Sequence, residues 1–156
     1  MIAMVFITIS PKQAAQYSYM CIRLKRVVNK MYTARKTLEA IANTSFDKSF
    51  ARCMYMLTSE SLQCENEIRA HIDSLNCDSY ETDISEKKEI VPSKKISGIE
   101  SICSYFEEVY LNSYKKLLND KHFANSLKSL MQNHMQLFRQ SLTQLRLFDD
   151  VKAGLN

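Results

Sequence analysis

The stretch YSYMCIRLKRVVNKMYTARKTLEAI, residues 17–41, decides the fold class. Its apolar residues recur at alternating intervals of three and four: Tyr17, Met20, Cys21, Leu24, Val27, Val28, Met31, Ala34, Leu38 and Ile41. This interval is the period of an α-helix that buries one face. Ser10 is a possible N-cap and Pro11 suits a first turn, while Asn43-Thr44-Ser45 ends the pattern. The spacing therefore predicts a first helix over about residues 12–42.

The same period returns three times further along the chain. It predicts helices over about 45–75, 98–119 and 121–148, with the 43–45 segment offering the second N-cap. Ser97 and Glu100 have the spacing of a capping box for the third helix, and Asp120 is placed to cap the fourth. The core faces of these helices are expected to include Ser61, Ser113 and His134 among apolar neighbours.

The connections between the predicted helices differ in length. Two are very short, whereas the polar linker at 76–97 is long and carries Pro92. Two hairpins joined by a long crossover predict an all-α, up-down four-helix bundle with a crossover between helices 2 and 3. We expect one domain at 12–149, flanked by tails at 1–11 and 150–156.

Composition excludes several function classes. Two Gly in 156 residues leave no Gly-rich phosphate loop or dinucleotide fingerprint. The five Cys form no C-x-x-C pair, which predicts reduced thiols and a cytoplasmic location. The apolar start of the chain is much shorter than the roughly 20 residues of a membrane span, so none is expected. The formal net charge of +4 does not favour nucleic acid as a partner.

Two segments of the chain resemble an uncharacterised bacterial family of ferritin-like bundles, domain of unknown function 2383. The matching positions in the second helix are Glu60-Ser61, Glu67, Ala70-His71 and Leu75-Asn76-Cys77. Those of the third helix are Cys103, Glu107-Glu108, Tyr114 and Leu118-Asn119-Asp120. The resemblance covers roughly Leu24 to Phe148 and implies a ferritin-like bundle.

Ferritin-like enzymes hold two irons with one Glu from each of two helices and Glu-x-x-His from the other two. This chain contains no Glu-x-x-His, so no cofactor and no catalytic residue is expected. A degenerate site for iron or manganese remains an alternative, and its candidate ligands are Glu60, Glu67, Glu107 and His134. The opposing interpretation makes His134 a core histidine that is hydrogen-bonded to a neighbouring carboxylate or hydroxyl.

Helix one also carries seven basic residues against one acid. Arg23, Arg26 and Lys30 share one face, which is either a solvated surface or a site for an anion, including nucleic acid. From these observations we expect a non-catalytic structural or interaction module that forms a homo-oligomer, most simply a dimer. The two alternatives are the degenerate metal-binding bundle and anion binding through helix one.

Overall fold

The computed structural model describes residues 10–75, 77, 96 and 98–154. Within these ranges the chain forms four helices and no strand, which confirms the predicted all-α class. The helices are α1 at Pro11–Thr44, α2 at Lys48–Ser74, a composite α3, and α4 at Asn125–Gly154. The three parts of α3 are an α-helix at Ile99–Phe106, a π-helix at Glu107–Leu111 and an α-helix at Asn112–Leu118.

The ends of the chain and the long connection bear on three predictions. Residues 1–9 of the predicted tail lie outside the described residues, as does the predicted linker 76–97 except for Cys77 and Ile96. At the other end, α4 continues to Gly154, so it runs through most of the segment expected to be a tail.

The start of α1 is as predicted. The Ser10 side chain accepts a hydrogen bond from the Gln13 backbone N–H, and the Gln13 side chain accepts one from the Ser10 backbone N–H. These two bonds satisfy donors that a helix N-terminus otherwise leaves unpaired, and Pro11 lacks the donor altogether. Ser10 therefore fixes the first residue of α1.

The starts of the other helices differ from prediction. Asp47, not a residue of the 43–45 segment, caps α2 by accepting from the Ser49 and Phe50 backbone N–H groups, because the chain needs two further residues to reverse direction. The N-cap of α3 is not the predicted Ser97 but Gly98, whose φ of 80° suits glycine. Ser97 lies outside the described residues.

The predicted cap of α4 at Asp120 is also wrong. The Asp120 carboxylate accepts from the His122 backbone N–H at 2.9 Å, and its carbonyl accepts from that of Phe123 at 3.4 Å. These bonds close a turn between α3 and α4, and the helix itself begins later, at Asn125.

The four helices share one hydrophobic core, and its residues match the predicted apolar faces. Its fully buried large side chains include Leu24, Met31, Leu38, Met54, Ile68, Ile102, Phe106, Leu117, Leu127 and Phe138. Burying a side chain of this size stabilises the fold by roughly 1.5–3 kcal/mol. The 3.6-residue period therefore identified the core correctly.

The π-helix in α3 changes which residues face this core. The backbone N–H of Asn112 donates to the carbonyl of Glu107, five residues back, which inserts one extra residue into the turn. Tyr110, Leu111 and Tyr114, in and just after this turn, are all buried. The Tyr110 ring stacks on Phe106 with centroids 3.9 Å apart.

Contacts between helices give their directions. Early residues of α1 contact the end of α3, since Tyr19 donates to Asp120, and Met31 of α1 contacts Tyr110 in the middle of α3. On the other side, Glu60 of α2 contacts Ser141 of α4, whereas Glu67 contacts His134. Each contacting pair is antiparallel, and the two members of each hairpin are antiparallel as well. Consequently α2 and α3 run in the same direction.

A disulfide joins Cys21 in the first half of α1 to Cys77, just beyond α2. The prediction of five reduced thiols is therefore wrong for these two residues, because the hairpin brings together cysteines that are 56 positions apart. Cys53, Cys64 and Cys103 are free thiols.

The hydropathy of the helices among the described residues bears on the predicted absence of a membrane span. None of them is long and apolar enough to cross a membrane, in agreement with the prediction that the chain has no such span.

Candidate functional site

The four residues predicted as metal ligands do not converge. Glu67 and His134 meet, with Oε2 and Nε2 2.5 Å apart. Glu107 instead pairs with Arg146, with 2.8 Å between Oε1 and Nη2, and Glu60 accepts a hydrogen bond from the Ser141 hydroxyl. Among the described residues no group of three or more His, Cys, Asp or Glu side chains is placed to hold a metal ion.

His134 is a buried histidine with a partner on each ring nitrogen. Its Nε2 contacts Glu67, and its Nδ1 lies 2.9 Å from the Tyr114 hydroxyl. This confirms the interpretation of His134 as a hydrogen-bonded core residue. An ionised Glu67 can only accept, so Nε2 carries a proton, and in the neutral ring Nδ1 then accepts from Tyr114. Burial raises the pKa of Tyr114 well above its ordinary value, which keeps this donor protonated.

A second polar cluster, which the sequence analysis missed, lies between α1 and α2. Arg35 Nε is 2.6 Å from Glu65 Oε2, and Nη2 is 3.3 Å from Oε1, a two-pronged ion pair. The exposed fraction is 7% for Arg35 and 1% for Glu65. A third bond, at 2.8 Å, joins Arg35 Nη1 to Glu39 at the edge of the pair. The hydrogen bond that Arg35 donates to Glu65 raises the pKa of Arg35, so the guanidinium remains charged.

This cluster continues into α3 through two hydroxyl groups. The Ser61 Oγ lies 3.3 Å from Glu65 Oε2 and 2.6 Å from the Tyr110 hydroxyl. The Tyr110 hydroxyl donates to the Met31 carbonyl at 2.8 Å. Burial raises the pKa of Tyr110, so this hydroxyl stays protonated. The cluster therefore connects α1, α2 and α3 through an ion pair and hydrogen bonds between its own groups.

The interior leaves no polar side chain without a partner. Throughout the part of the chain that the structure describes, every buried side-chain nitrogen and oxygen has a hydrogen-bond partner. The free thiol of Cys64 is also buried, and burial raises its pKa to about 12, so it remains a neutral thiol. Because a thiolate is the nucleophilic form of cysteine, Cys64 is inert at neutral pH.

Sequence signals for the missed cluster did exist. Glu65 lies one helical turn from the inward residues Ser61 and Ile68, and Arg35 lies one turn from Met31 and Leu38. Neither Arg35 nor Glu65 is among the predicted site residues. Opposite charges on the apolar stripes of two helices indicate buried charges that need partners, whereas the register between the helices decides which residues pair.

The residues predicted to bind an anion differ in availability. Arg23 forms an ion pair with Asp120, and its guanidinium lies over the rings of Tyr19 and Phe123 at 5.6 and 5.7 Å from their centroids. Arg26 and Lys30 are exposed to solvent. The three cations thus share one face, but among the described residues Arg26 and Lys30 form no ion pair, whereas Arg23 does.

The outer surface of α2 carries two shallow, open clefts. The first is lined by Lys48, Ala51, Arg52, Tyr55, Met56, Ser59 and Glu60. The second is lined by Ser59, Leu62, Gln63, Asn66, Glu67 and Ala70. Tyr55, Met56 and Leu62 are large hydrophobic residues that remain exposed here. These clefts leave an apolar surface in contact with solvent.

No protein-family model, curated protein or solved structure matches this chain. The candidate sites are therefore interpreted from their own geometry.

Proposed function

We propose that this chain is a non-catalytic interaction module whose interior polar groups stabilise the fold. One observation carries the proposal: the carboxylates and the imidazole predicted as ligands are each engaged by a partner inside the protein. Arg146 neutralises Glu107, and Tyr114 and Glu67 occupy both nitrogens of His134. A metal ion at this level would have to displace these partners.

The number of available donors supports the same conclusion. Structural and catalytic metal sites in proteins use three or more protein ligands in most cases. Glu67 and His134 supply two, on opposite sides of the α2–α4 interface. If Glu107 bound a metal ion, Arg146 would lose this carboxylate and would keep only its ion pair with Glu100 among the described residues. The geometry therefore favours a structural role for these residues.

A metal titration tests this proposal. The full chain is titrated with Mn²⁺, and with Fe²⁺ under anaerobic conditions, and binding is followed by calorimetry. We expect no stoichiometric binding. One ion per chain that is lost in Glu67→Gln but retained in Glu108→Gln, a change at an exposed position of α3, would contradict the proposal and favour the degenerate metal site.

The proposal includes a ferritin-like arrangement and membership of the domain of unknown function 2383 family. The helix directions support it, because α2 and α3 run the same way and a connection from the end of α2 to the start of α3 then has to traverse the bundle. The order and lengths of the helices also agree with the resemblance seen in the sequence. An experimental structure in which residues 76–97 join α2 to α3 at the same end of the bundle would contradict it.

We further propose that the chain forms a homodimer through the exposed part of α2. Tyr55, Met56, Ser59 and Leu62 follow helical spacing on its outer side, and we call them the α2 outer face. In an antiparallel two-fold pairing centred on Ser59, Met56 of each copy meets Leu62 of the other. The small Ser59 side chain at the centre allows the two helices to approach closely. Such a surface is self-complementary, as a two-fold interface requires.

Sedimentation equilibrium measures this association. Met56→Glu places a charge against Leu62 of the other copy, and we expect it to convert the dimer into a monomer. Leu147→Glu is the matched control, because Leu147 is equally apolar and exposed but lies on α4. A wild-type monomer, or dissociation by both variants, would contradict the proposed interface.

A cytoplasmic location remains a prediction, and the Cys21–Cys77 disulfide provides its test. Structural disulfides persist in oxidising compartments and are rare in the cytosol. Cells are lysed in acid and denaturant, and free thiols are counted by alkylation and mass spectrometry. Five alkylated cysteines support the cytoplasmic location, whereas three contradict it.

A further inference from the structure

A hydrogen-bonded layer divides the bundle into two halves with opposite charge. Met31, Glu67, Tyr114 and His134 form this layer, one residue from each helix: Glu67, His134 and Tyr114 are hydrogen-bonded in turn, and the Tyr114 hydroxyl also contacts the Met31 Sδ at 3.7 Å. The basic half consists of residues 10–30, 68–75, 77 and 115–133. The acidic half consists of residues 31–67, 98–114 and 134–151. Each helix is divided at its layer residue, so each half contains segments from all four helices.

Charged residues are distributed unequally between the two halves. The basic half has ten Lys and Arg against two Asp, a net charge of +8. The acidic half has six Lys and Arg against ten Asp and Glu, a net charge of −4. The chain passes through each half several times, so this separation is hidden in the mild overall charge of +4.

Most cations of the basic half are available to a partner. Arg23 and Asp120 neutralise each other. Seven others are exposed and pair with no carboxylate in the part of the chain described: Lys12, Arg26, Lys30, Arg69, Lys115, Lys116 and Lys121. A surface with this many unpaired charges attracts polyanions through a long-range field.

The fold places many of these cations along one border of the bundle. Lys12, Arg26 and Lys30 lie on the stripe of α1 that also holds Gln16 and Tyr19. Gln16 contacts His122 and Tyr19 contacts Asp120, so the stripe runs beside the end of α3 and the following turn. Lys116 precedes Asp120 by one helical turn, and Lys121 follows it directly.

The length of this border suits a phosphate backbone. At 1.5 Å per residue, the distance along α1 from Lys12 to Lys30 is about 27 Å. One strand of B-form DNA presents a phosphate every 3.4 Å along its axis, so about eight phosphates span this distance. Lysine and arginine side chains bind phosphates through charge without reading the bases.

We propose that the basic half binds the phosphate backbone of nucleic acids without sequence preference. This proposal names a partner for the interaction module. It rests on the proposed function in one respect, namely that the chain acts by binding through its surface. A negatively charged membrane fits the surface less well, because interfacial binding needs exposed apolar anchors beside the cations. The large hydrophobic residues exposed in the described part of the basic half are Tyr17 and Tyr19, and Tyr19 is hydrogen-bonded to Asp120.

Fluorescence anisotropy tests the inference with the full, disulfide-bonded chain. The probes are labelled single-stranded and duplex oligonucleotides of random sequence, about 20 nucleotides long, titrated between about 50 and 200 mM salt. We expect binding whose affinity falls steeply as salt increases. The double variant Arg26→Glu/Lys30→Glu should weaken binding by about tenfold or more and reduce the salt slope by about 2.

The matched control is Lys48→Glu/Arg52→Glu, which makes the same charge change at two exposed positions of the acidic half. We expect a much smaller loss of affinity than in the basic half. Absence of binding at low salt, or an equal loss in both double variants, would overturn the inference. Binding to vesicles of phosphatidylserine and phosphatidylcholine without binding to either oligonucleotide would overturn it as well. None of these outcomes involves metal, so they leave the metal titration to test the proposed function separately.

Discussion

The acidic and basic halves of the bundle use their charged residues differently. In the acidic half, Arg35 and Glu65 form a buried ion pair between helices, and Arg146 bridges Glu100 and Glu107 at the surface. In the basic half, the interior beyond the dividing layer is apolar in the described residues, and a disulfide and the Arg23–Asp120 pair connect the elements. The acidic half therefore contains ion pairs between its own residues, whereas most cations of the basic half face solvent.

This difference separates stability from interaction. Removing one member of an internal pair leaves the other member without compensation, so changes in the acidic half are expected to alter the free energy of unfolding. An exposed, unpaired cation contributes little to folding, so changes in the basic half are expected to alter binding instead.

The largest effect is expected from breaking the buried ion pair of the acidic half. Arg35→Met leaves the Glu65 carboxylate buried without its cation and should reduce the free energy of unfolding by about 3–5 kcal/mol. Urea denaturation followed by circular dichroism measures the change. The double variant Arg35→Met/Glu65→Leu removes both charges and should recover most of the loss. A single variant as stable as the wild type would show that the pair is not buried as described.

In the basic half, the disulfide is expected to have the next largest effect. Cys21→Ser/Cys77→Ser removes a crosslink that closes a loop of more than 50 residues. This should reduce the free energy of unfolding by about 2–4 kcal/mol, chiefly by enlarging the unfolded ensemble. Cys53→Ser, at a partly buried free thiol, is the control in the same urea titration. Equal stability of the double variant and this control would contradict the prediction.

A smaller effect is expected from the hydroxyl that extends the acidic-half cluster into α3. Tyr110→Phe keeps the ring on Phe106 but removes the hydroxyl that contacts Ser61 and the Met31 carbonyl. We expect a loss of about 1–2 kcal/mol in the free energy of unfolding. Tyr32→Phe removes a hydroxyl from an exposed ring and should have little effect. If both variants unfold alike, the hydroxyl network does not stabilise the protein.

The smallest effect concerns the Arg23–Asp120 ion pair of the basic half and depends on pH. The pKa of Asp120 is lowered even though desolvation opposes this, because the His122 backbone N–H, Tyr19 and Arg23 all favour its ionised form. A carboxyl whose folded pKa is below its unfolded pKa of about 4 stabilises the fold above pH 4. That contribution, about 1 kcal/mol or less, is lost as the pH falls through the folded pKa.

Asp120→Asn should remove this dependence. Thermal unfolding between about pH 2 and 6 should show a smaller fall in Tm for the variant than for the wild type, while the two curves converge in acid. Identical pH profiles for the two proteins would show that Asp120 does not contribute through its charge.

The core could be predicted from the sequence because burial follows the helical period. Leu24, Met54 and Leu127 each lie on the stripe that the spacing identified, and all three are fully buried. His134 also lies where its apolar neighbours placed it. Helix starts were less predictable: capping depends on how many residues the chain needs to reverse direction, and Asp47 was not distinguishable from its polar neighbours.

The polar contacts between helices could not be predicted in the same way. Pairing of Arg35 with Glu65 depends on the register between two helices, which neither helix encodes alone. The π-helix adds a residue to one turn of α3, and the regular apolar spacing of the sequence does not indicate it. The charge separation depends on helix direction, so residues as distant in sequence as Lys12 and Lys116 lie in the same half.

The central claim is that the polar interior stabilises the fold and that interaction belongs to the surface. Its most direct test replaces the acidic-half cluster by apolar residues in one variant, Arg35→Met/Ser61→Ala/Glu65→Leu/Tyr110→Phe, and measures its oligonucleotide affinity by anisotropy. We expect this variant to fold cooperatively and to bind the oligonucleotide with unchanged affinity. A variant that folds cooperatively but no longer binds would contradict it, because the buried cluster would then take part in function.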